Sequence, residues 1–223
     1  MRAVVSVGGS VLAPDVDPAR VETYAAALDR VVAAGHDVGV VVGGGPTART
    51  YIDAARALDA TEVELDRLGI AVTQLNARLL RTALDAPSVT PEDYERAVAA
   101  MDAGRVPVMG GVAPGQTTDA VAAALAEDAR ADRLVFATSV DGVYDADPTT
   151  DATAERFDEL TPAELVEVVA PMSRSAGASA PVDLLAAKLV ERAGLRALVV
   201  DGTDPETVAR AVVDDECDGT AVR

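Results

Sequence analysis

The chain has 223 residues and is 49% apolar, which is enough for one α/β domain with a sizeable core of valine, alanine and leucine. Its net charge of −18 leaves no basic surface for nucleic acid, and no apolar run approaches the roughly 18 residues of a membrane span. Cys217 is the only cysteine, which excludes a disulfide framework or a cysteine-based zinc site. With no signal-peptide pattern at the N-terminus, the composition predicts a cytoplasmic protein in which Cys217 is a free thiol.

The charged residues are unusual in two ways, because acidic residues outnumber basic ones and lysine is almost absent. Lys188 is the one lysine among 19 basic residues, and acidic residues are spread over the predicted helix faces. High acidity with almost no lysine resembles the proteins of salt-in halophiles, in which high salt screens the repulsion between like charges. A phosphate ligand of such a chain would have to be held by arginine, Lys188, backbone N–H groups or a metal ion.

The predicted elements alternate between strands and helices. In chain order they are a strand at 3–7, a loop at 11–17, a helix at 19–34, a strand at 37–42, helices at 46–58 and 61–84, a helix from Thr90 to about 103, a strand at 105–109, a helix at 120–129, a strand at 133–138, helices at 161–169 and 181–193, a strand at 196–200, a helix at 205–213 and an edge strand at 220–222. Asp17, Thr61 and Thr161 are the expected helix caps. Segment 173–180 is small and polar. The alternation predicts a mainly parallel sheet covered by helices on both faces, without repeats or linkers.

Four of the predicted strands end in glycine or small polar residues, at 8–10, 43–45, 110–111 and 138–139. A buried strand that ends in glycines and opens a helix presents bare N–H groups to a phosphate. Because ligands of open α/β sheets collect at the carboxyl ends of the strands, four such turns predict a phosphate-rich ligand. The chain has neither the P-loop pattern nor the dinucleotide-binding pattern. His36, the only histidine, falls in a helix-to-strand turn, which argues against a serine or cysteine nucleophile paired with histidine.

These turns belong to longer motifs. They are Gly8-Gly9-Ser10, Gly43-Gly44-Gly45 with Arg49, Gly110-Gly111 followed by the run from Pro114 to Ala120 (PGQTTDA), and the run from Thr138 to Tyr144 with Asp147-Pro148. In this order, over essentially the whole chain, the motifs resemble the amino acid kinase superfamily and, within it, the archaeal type of uridylate (UMP) kinase. The resemblance implies an α/β/α sandwich, phosphorylation of UMP to UDP by ATP with Mg²⁺, and a homohexamer built as a trimer of dimers. It also implies one domain over 1–223, with residues up to about 130 mainly for the acceptor and 131–223 mainly for ATP.

The resemblance assigns roles to individual residues. The implied ATP contacts are Gly9, Ser10, Gly45, Arg49, Thr138, Ser139, Tyr144 and Asp147. The implied UMP contacts are Gly44, Asp66, Val112, Ala113, Pro114, Gly115, Gln116, Thr117 and Thr118. These residue types suit phosphoryl transfer, in which the two phosphate groups must be held in line and their negative charge neutralised. Arg49 offers phosphate a fork of donors, and Asp66 could accept from two ribose hydroxyls.

Two positions depart from the family pattern. Bacterial relatives have a lysine in the first loop, where this chain, like archaeal members, has Gly8-Gly9-Ser10. Ser139 replaces the usual asparagine. Lys188 is then the only lysine that could supply positive charge to the site. It is either a catalytic residue or an ordinary surface residue of its helix. Asp183 could orient Lys188 or hold Mg²⁺, and Asp141 is an alternative metal ligand, so the metal site stays open.

Two other readings of the function remain. One is another phosphotransferase of the same fold, acting on acetylglutamate, carbamate or isopentenyl phosphate. Isopentenyl phosphate kinases use a histidine near the second glycine turn, and this chain has none there. The other is a non-catalytic nucleotide-binding or storage protein of this fold, which the all-glycine first loop and the single lysine leave open.

Overall fold

Strands and helices alternate along the chain, as predicted. The structure, a computed structural model, describes residues 1–148, 150–172, 181–214, 216 and 218–223, so Cys217 and the small polar segment 173–180 lie outside the described residues. The elements are β1 (Arg2–Val7), α1 (Gly9–Leu12), α2 (Pro18–Ala33), β2 (Asp37–Val42), α3 (Gly45–Arg56), α4 (Glu62–Ala83), β3 (Ser88–Val89), α5 (Tyr94–Asp102), β4 (Val106–Met109), α6 (Thr118–Asp128), β5 (Arg133–Thr138), β6 (Glu159–Leu160), α7 (Pro162–Met172), α8 (Leu184–Ala193), β7 (Ala197–Asp201), α9 (Pro205–Val213) and β8 (Gly219–Val222).

The eight described strands form one sheet in the order β3-β4-β2-β1-β5-β7-β8-β6. The pairings are parallel except that of β7 with β8, which is antiparallel. The central strands are buried along nearly their whole length, as expected for strands covered on both faces. The predicted mainly parallel sheet is confirmed.

Two separate apolar cores lie on the two faces of the sheet. One core contains buried side chains of α2, α4 and α9, and the other contains those of α5, α6, α7 and α8. This arrangement confirms the three-layer α/β/α sandwich. Within the described ranges, no helix is both long enough and apolar enough to cross a bilayer.

Several local predictions are confirmed by their hydrogen bonds. Asp17 caps α2 by accepting from Ala19 N at 3.1 Å. Thr61 N donates to the Glu64 carboxylate at 2.8 Å in a capping box at the start of α4. These caps were predictable because each depends on residues within one helical turn.

Four predictions were wrong in detail. Residues 9–12 form the short helix α1 instead of loop, because Val11 N and Leu12 N donate to Gly8 O. α5 begins at Tyr94 and not at Thr90, because the Asp93 side chain caps it by accepting from Arg96 N at 2.8 Å. Asp183 is the N-cap of α8 and lies outside the helix. β8 is not an edge strand, because the two-residue strand β6 pairs with its outer side.

Candidate active site

The four glycine or small polar turns lie side by side at one edge of the sheet. They follow β4, β2, β1 and β5, which are adjacent and parallel in this order. Their carboxyl ends therefore meet at the same edge, as the sequence predicted.

The first two glycine turns interlock, backbone against backbone. A Cβ built on Gly9 would lie 2.1 Å from Gly45 N and 2.5 Å from Gly43 O. A Cβ on Gly45, whose φ is +63°, would lie 2.5 Å from Gly9 O. Only glycine permits this approach at these positions, and Gly45 is also in the left-handed region. The N–H groups of Gly44 and Gly45 stand at the start of α3, where helix geometry leaves them without an intrahelical acceptor.

Helix α4 holds the second and third glycine turns from one side. Asn76 donates through Nδ2 to Gly43 O at 2.9 Å, and the Thr73 hydroxyl accepts from Gly111 N at 2.7 Å. A Cβ on Gly110 would lie 2.6 Å from the Thr73 hydroxyl oxygen, so the turn packs directly on the helix. Thr73 and Asn76 are both buried. Sequence reasoning missed them, although polar residues on the apolar face of an amphipathic helix are a usable signal.

Arg49 and Ser10 are exposed next to these turns. Arg49 lies in the second turn of α3, and Ser10 is the second residue of α1. Within the described part of the chain, the Arg49 guanidinium has neither a hydrogen bond nor an ion pair, so its donors are available to a ligand.

The loop after β4 contains the residues assigned to UMP, and the structure brings it to Asp66. Gly115 N donates to Asp66 Oδ2 at 2.8 Å, and the Tyr94 hydroxyl donates to Gln116 Oε1 at 3.3 Å. Thr117 caps α6 by accepting from Ala120 N at 3.1 Å. Of the assigned residues, Val112, Ala113 and Thr118 are half-buried, and Pro114, Gly115, Gln116 and Thr117 are exposed.

Two carboxylates stand close together beneath this loop. The Thr117 hydroxyl donates to Asp183, whose other oxygen accepts from Leu185 N at 2.7 Å. Asp119 accepts from the Ser6 hydroxyl at 2.7 Å. Burial and, to a smaller extent, the charge of Asp183 raise the pKa of Asp119 to about 7. Asp119 lies within the motif from Pro114 to Ala120, but its contact with β1 could not be predicted, because that contact depends on the order of the strands.

The loop after β5 contains the remaining residues assigned to ATP. Thr138 ends β5, and its hydroxyl donates to Val140 O at 2.9 Å, while Ser139 is exposed. Asp147 O accepts from Asp151 N at 2.9 Å, which turns the chain after this loop.

Asp141 is already engaged within that loop. The Tyr144 hydroxyl donates to Asp141 Oδ1 at 2.6 Å, and Arg156 Nη1 lies 3.0 Å from Asp141 Oδ2. The hydrogen bond from Tyr144 and, to a lesser extent, the charge of Arg156 hold the pKa of Asp141 below its usual value. The ion pair between Asp141 and Arg156 thus stabilises the loop, and the sequence did not predict it.

Lys188 lies apart from this group. Its side chain is 57% exposed on α8, and in the described ranges its one ion pair is with Glu191, at 3.9 Å. Among the described residues, no hydrogen bond or ion pair joins Lys188 to Asp183. A catalytic role for Lys188 stays a prediction that has gained no structural support.

The fold and this edge of the sheet define a class of phosphate-handling α/β protein. A family model described as "Amino acid kinase family" matches residues 1–201. The chain belongs to the amino acid kinase family.

The relatives narrow this class further. The protein named uridylate kinase in Halorubrum lacusprofundi is 62% identical to this chain, with 100% of this chain and 93% of that protein aligned. The uridylate kinase of Haloarcula marismortui is 58% identical over 100% of this chain and 98% of that protein. These relatives bear out both the resemblance to archaeal uridylate kinases and the halophilic character of the composition.

Solved structures agree with the fold. The crystal structure of uridylate kinase from Archaeoglobus fulgidus matches with a TM-score of 0.90 at 43% identity, covering 100% of both chains. The UMP kinase of Bacillus anthracis matches with a TM-score of 0.81 at 23% identity, covering 100% of this chain and 95% of that one, and supports the fold alone.

Proposed function

We propose that the chain is a uridylate kinase, which transfers the γ-phosphoryl group of ATP to UMP to give UDP and ADP. The observation that carries the proposal is the interlocking of the turns at Gly9 and at Gly43–Gly45, flanked by the Asp66-bound loop on one side and the loop after β5 on the other. Full-length similarity to proteins named uridylate kinase supports UMP as the acceptor.

In this proposal, catalysis depends on position and charge. The N–H groups of Gly44 would face the UMP phosphate and those of Gly9, Ser10 and Gly45 the ATP phosphates, while Arg49 donates to the transferring group. Backbone donors suit this role because the glycines bring no side chain between the two phosphates. Asp66 would accept from the ribose of UMP while it holds Gly115.

The same proposal divides the chain by substrate. Residues up to about 130 would contribute mainly the acceptor site, through α4 and the loop that contains Val112–Thr118. Residues 131–223 would contribute mainly the ATP site, through Thr138, Ser139, Tyr144 and Asp147. The position of the four turns along one edge supports this division. Strands β4 and β2 lie on one side of β1, and strand β5 lies on its other side.

A magnesium ion fits the carboxylates of Asp119 and Asp183. Burial and, to a smaller extent, the charge of Asp183 raise the pKa of Asp119, and a cation bound between the two carboxylates would offset both effects. Mg²⁺ commonly binds through one or two carboxylates plus substrate phosphates, so the lack of a cluster of three or more acidic, histidine or cysteine ligands among the described residues is no obstacle. When bound, the ion would neutralise charge on the phosphate oxygens. Asp141 fits less well, because Arg156 already balances its charge.

The alternative acceptors are not favoured. The only histidine, His36, lies before β2 and not near the second glycine turn, which argues against isopentenyl phosphate. The full-length relatives carry the name uridylate kinase and not that of an acetylglutamate or carbamate kinase. The same name, which is that of an enzyme, argues against a storage role.

A coupled assay that records ADP formation tests the proposal. The purified protein would be given ATP, Mg²⁺ and one acceptor at a time, namely UMP, CMP, AMP, acetylglutamate, carbamate or isopentenyl phosphate, in molar KCl. We expect turnover with UMP well above that with the other acceptors, and loss of turnover with a chelator. Turnover of another acceptor but not UMP would contradict the proposed substrate, and binding without any turnover would favour the storage role.

We also propose that the chain forms a homo-oligomer. Leu68, Ala71 and Leu75 lie on α4 at the i, i+3, i+7 spacing of a helix contact, and Leu75 is 59% exposed. Light scattering of the wild type and of Leu75→Glu would test this surface, with a smaller particle expected for the variant. The hexameric, trimer-of-dimers arrangement and the cytoplasmic location stay predictions.

A further inference from the structure

The loop after β4 is anchored from both layers of helices. On one side Asp66, in α4, accepts from Gly115 N at 2.8 Å. On the other, the Asp183 carboxylate before α8 binds the Thr117 hydroxyl. Gln116 lies between these two anchored residues, and its side chain is exposed at the edge of the sheet where the substrates would bind. Its backbone position is therefore fixed before any ligand arrives.

The Gln116 side chain has one partner among the described residues. Tyr94, the first residue of α5, donates its hydroxyl to Gln116 Oε1 at 3.3 Å. The Tyr94 ring is half-buried against the core on that face of the sheet. Burial raises the pKa of Tyr94, so the phenol keeps its proton at neutral pH and remains a donor. The carboxamide oxygen thus faces a donor, and the amide NH₂ is left for a ligand.

We propose that Gln116 is the residue that selects the base of the acceptor, by donating its amide NH₂ to the C4 carbonyl oxygen of uracil, and that Tyr94 positions it. This inference rests on the proposed uridylate kinase function. Uracil presents a carbonyl oxygen at C4, whereas cytosine presents an amino group there. A donor fixed at this point favours uracil and meets cytosine donor to donor, which leaves two polar groups unpaired.

The test compares kcat/KM for UMP with kcat/KM for CMP, at saturating ATP and in molar KCl. Gln116→Glu replaces the amide donor by an acceptor, so the UMP-to-CMP ratio should fall by about a hundredfold. Repulsion between the new carboxylate and the phosphate acts equally on both substrates and cancels in the ratio. Tyr94→Phe removes only the hydroxyl and should lower the ratio about tenfold, mainly through KM for UMP.

Two controls separate positioning from general damage. Tyr51→Phe removes a hydroxyl from an exposed position of α3, and its ratio should equal that of the wild type. In a Gln116→Ala background, Tyr94→Phe should change the ratio no further, because the residue it positions is gone.

The outcomes are distinct. A wild type that phosphorylates UMP, with ratios that fall in Gln116→Glu and Tyr94→Phe, supports the inference. A wild type that phosphorylates UMP, with the same ratio in both variants, overturns the inference and leaves the proposed function standing. A wild type that does not phosphorylate UMP overturns both.

Discussion

Arg49 and Asp119, two ionisable side chains at the edge of the sheet where the substrates would bind, lie in contrasting environments. Arg49 is exposed and without a partner in the described chain, so its charge is hydrated and ready for an anion. Asp119 is partly buried beside Asp183 and Ser6, so its charge is disfavoured in the free protein. Both arrangements make sense if a phosphate and a cation bind here, because each ligand supplies the charge that the protein lacks.

Arg49→Ala should lower kcat with UMP and ATP at least about tenfold, because a charge-assisted donor to the transferring phosphoryl group is lost. Steady-state kinetics in molar KCl would measure it. Arg56→Ala is the matched control, since Arg56 ends the same helix and is paired with Asp53 at 3.0 Å, and it should keep wild-type kinetics. Equal kinetics for Arg49→Ala and the wild type would make Arg49 an ordinary surface residue.

Asp119→Asn should change how stability depends on pH. The folded-state pKa of Asp119 is raised from 3.8 to about 7, so between these values the folded protein keeps a proton that the unfolded chain releases. The contribution of this group to stability is therefore greatest below about pH 4, falls as the pH rises through 7 and stays lost above it. Asparagine cannot ionise, and the variant should melt about 5 °C above the wild type at pH 8.

Thermal melting with a chelator and constant KCl, at pH 5 and pH 8, would measure this effect. Asp128→Asn is the control, because Asp128 is exposed at the end of the same helix, α6. If Asp119→Asn lost as much stability between the two pH values as the wild type does, Asp119 would not be the group responsible.

At the scale of elements, the first two glycine turns act as one unit. A methyl group on Gly9 would overlap Gly45 N and Gly43 O, which are backbone atoms and cannot rotate away. Gly9→Ala should therefore separate the turns, lower the free energy of unfolding by several kcal/mol and abolish turnover.

Gly69→Ala is the matched control for that change. Gly69 lies inside α4, where a Cβ would meet only Ile52 Cδ1 at an ordinary 3.4 Å. Alanine there should raise stability by roughly 0.5–1 kcal/mol through helix propensity. Urea titration of both variants would measure the difference, and a Gly9→Ala protein as stable as Gly69→Ala would show that the turns tolerate separation.

The elements also show what a sequence can predict. Features that depend on short-range patterns were predictable, namely the strand ends and the helix caps at Asp17 and Thr61. The common edge of the four turns was predictable as well, because it follows from the parallel arrangement of the strands. The two-residue strands β3 and β6 are too short to show any periodicity. Other contacts depend on which elements become neighbours in the fold. They are the hydrogen bonds of Thr73 and Asn76, in α4, with the glycine turns, and the hydrogen bond between Ser6 and Asp119. Local pattern does not contain that information.

At the scale of the whole molecule, the net charge of −18 works against the compact state. The side-chain carboxylates of exposed acids such as Asp15, Glu22 and Asp59 have no hydrogen bond or ion pair within the described part of the chain, so no such partner among these residues offsets their repulsion. Salt can offset it, because the Debye length falls from about 10 Å at 0.1 M to about 3 Å at 1 M. The relatives in Halorubrum and Haloarcula are consistent with a chain suited to high salt.

The melting temperature should therefore rise by about 10 °C or more between 0.1 and 2 M KCl. The triple variant Asp15→Asn, Glu22→Gln, Asp59→Asn has a net charge of −15 (−18 plus three removed carboxylates), and it should melt higher than the wild type at 0.1 M and gain less from added salt. Sucrose is the control, because it favours burial without screening charge. If sucrose stabilised the wild type as much as KCl, or if the triple variant showed an unchanged salt dependence, charge repulsion would not be what limits this fold at low salt.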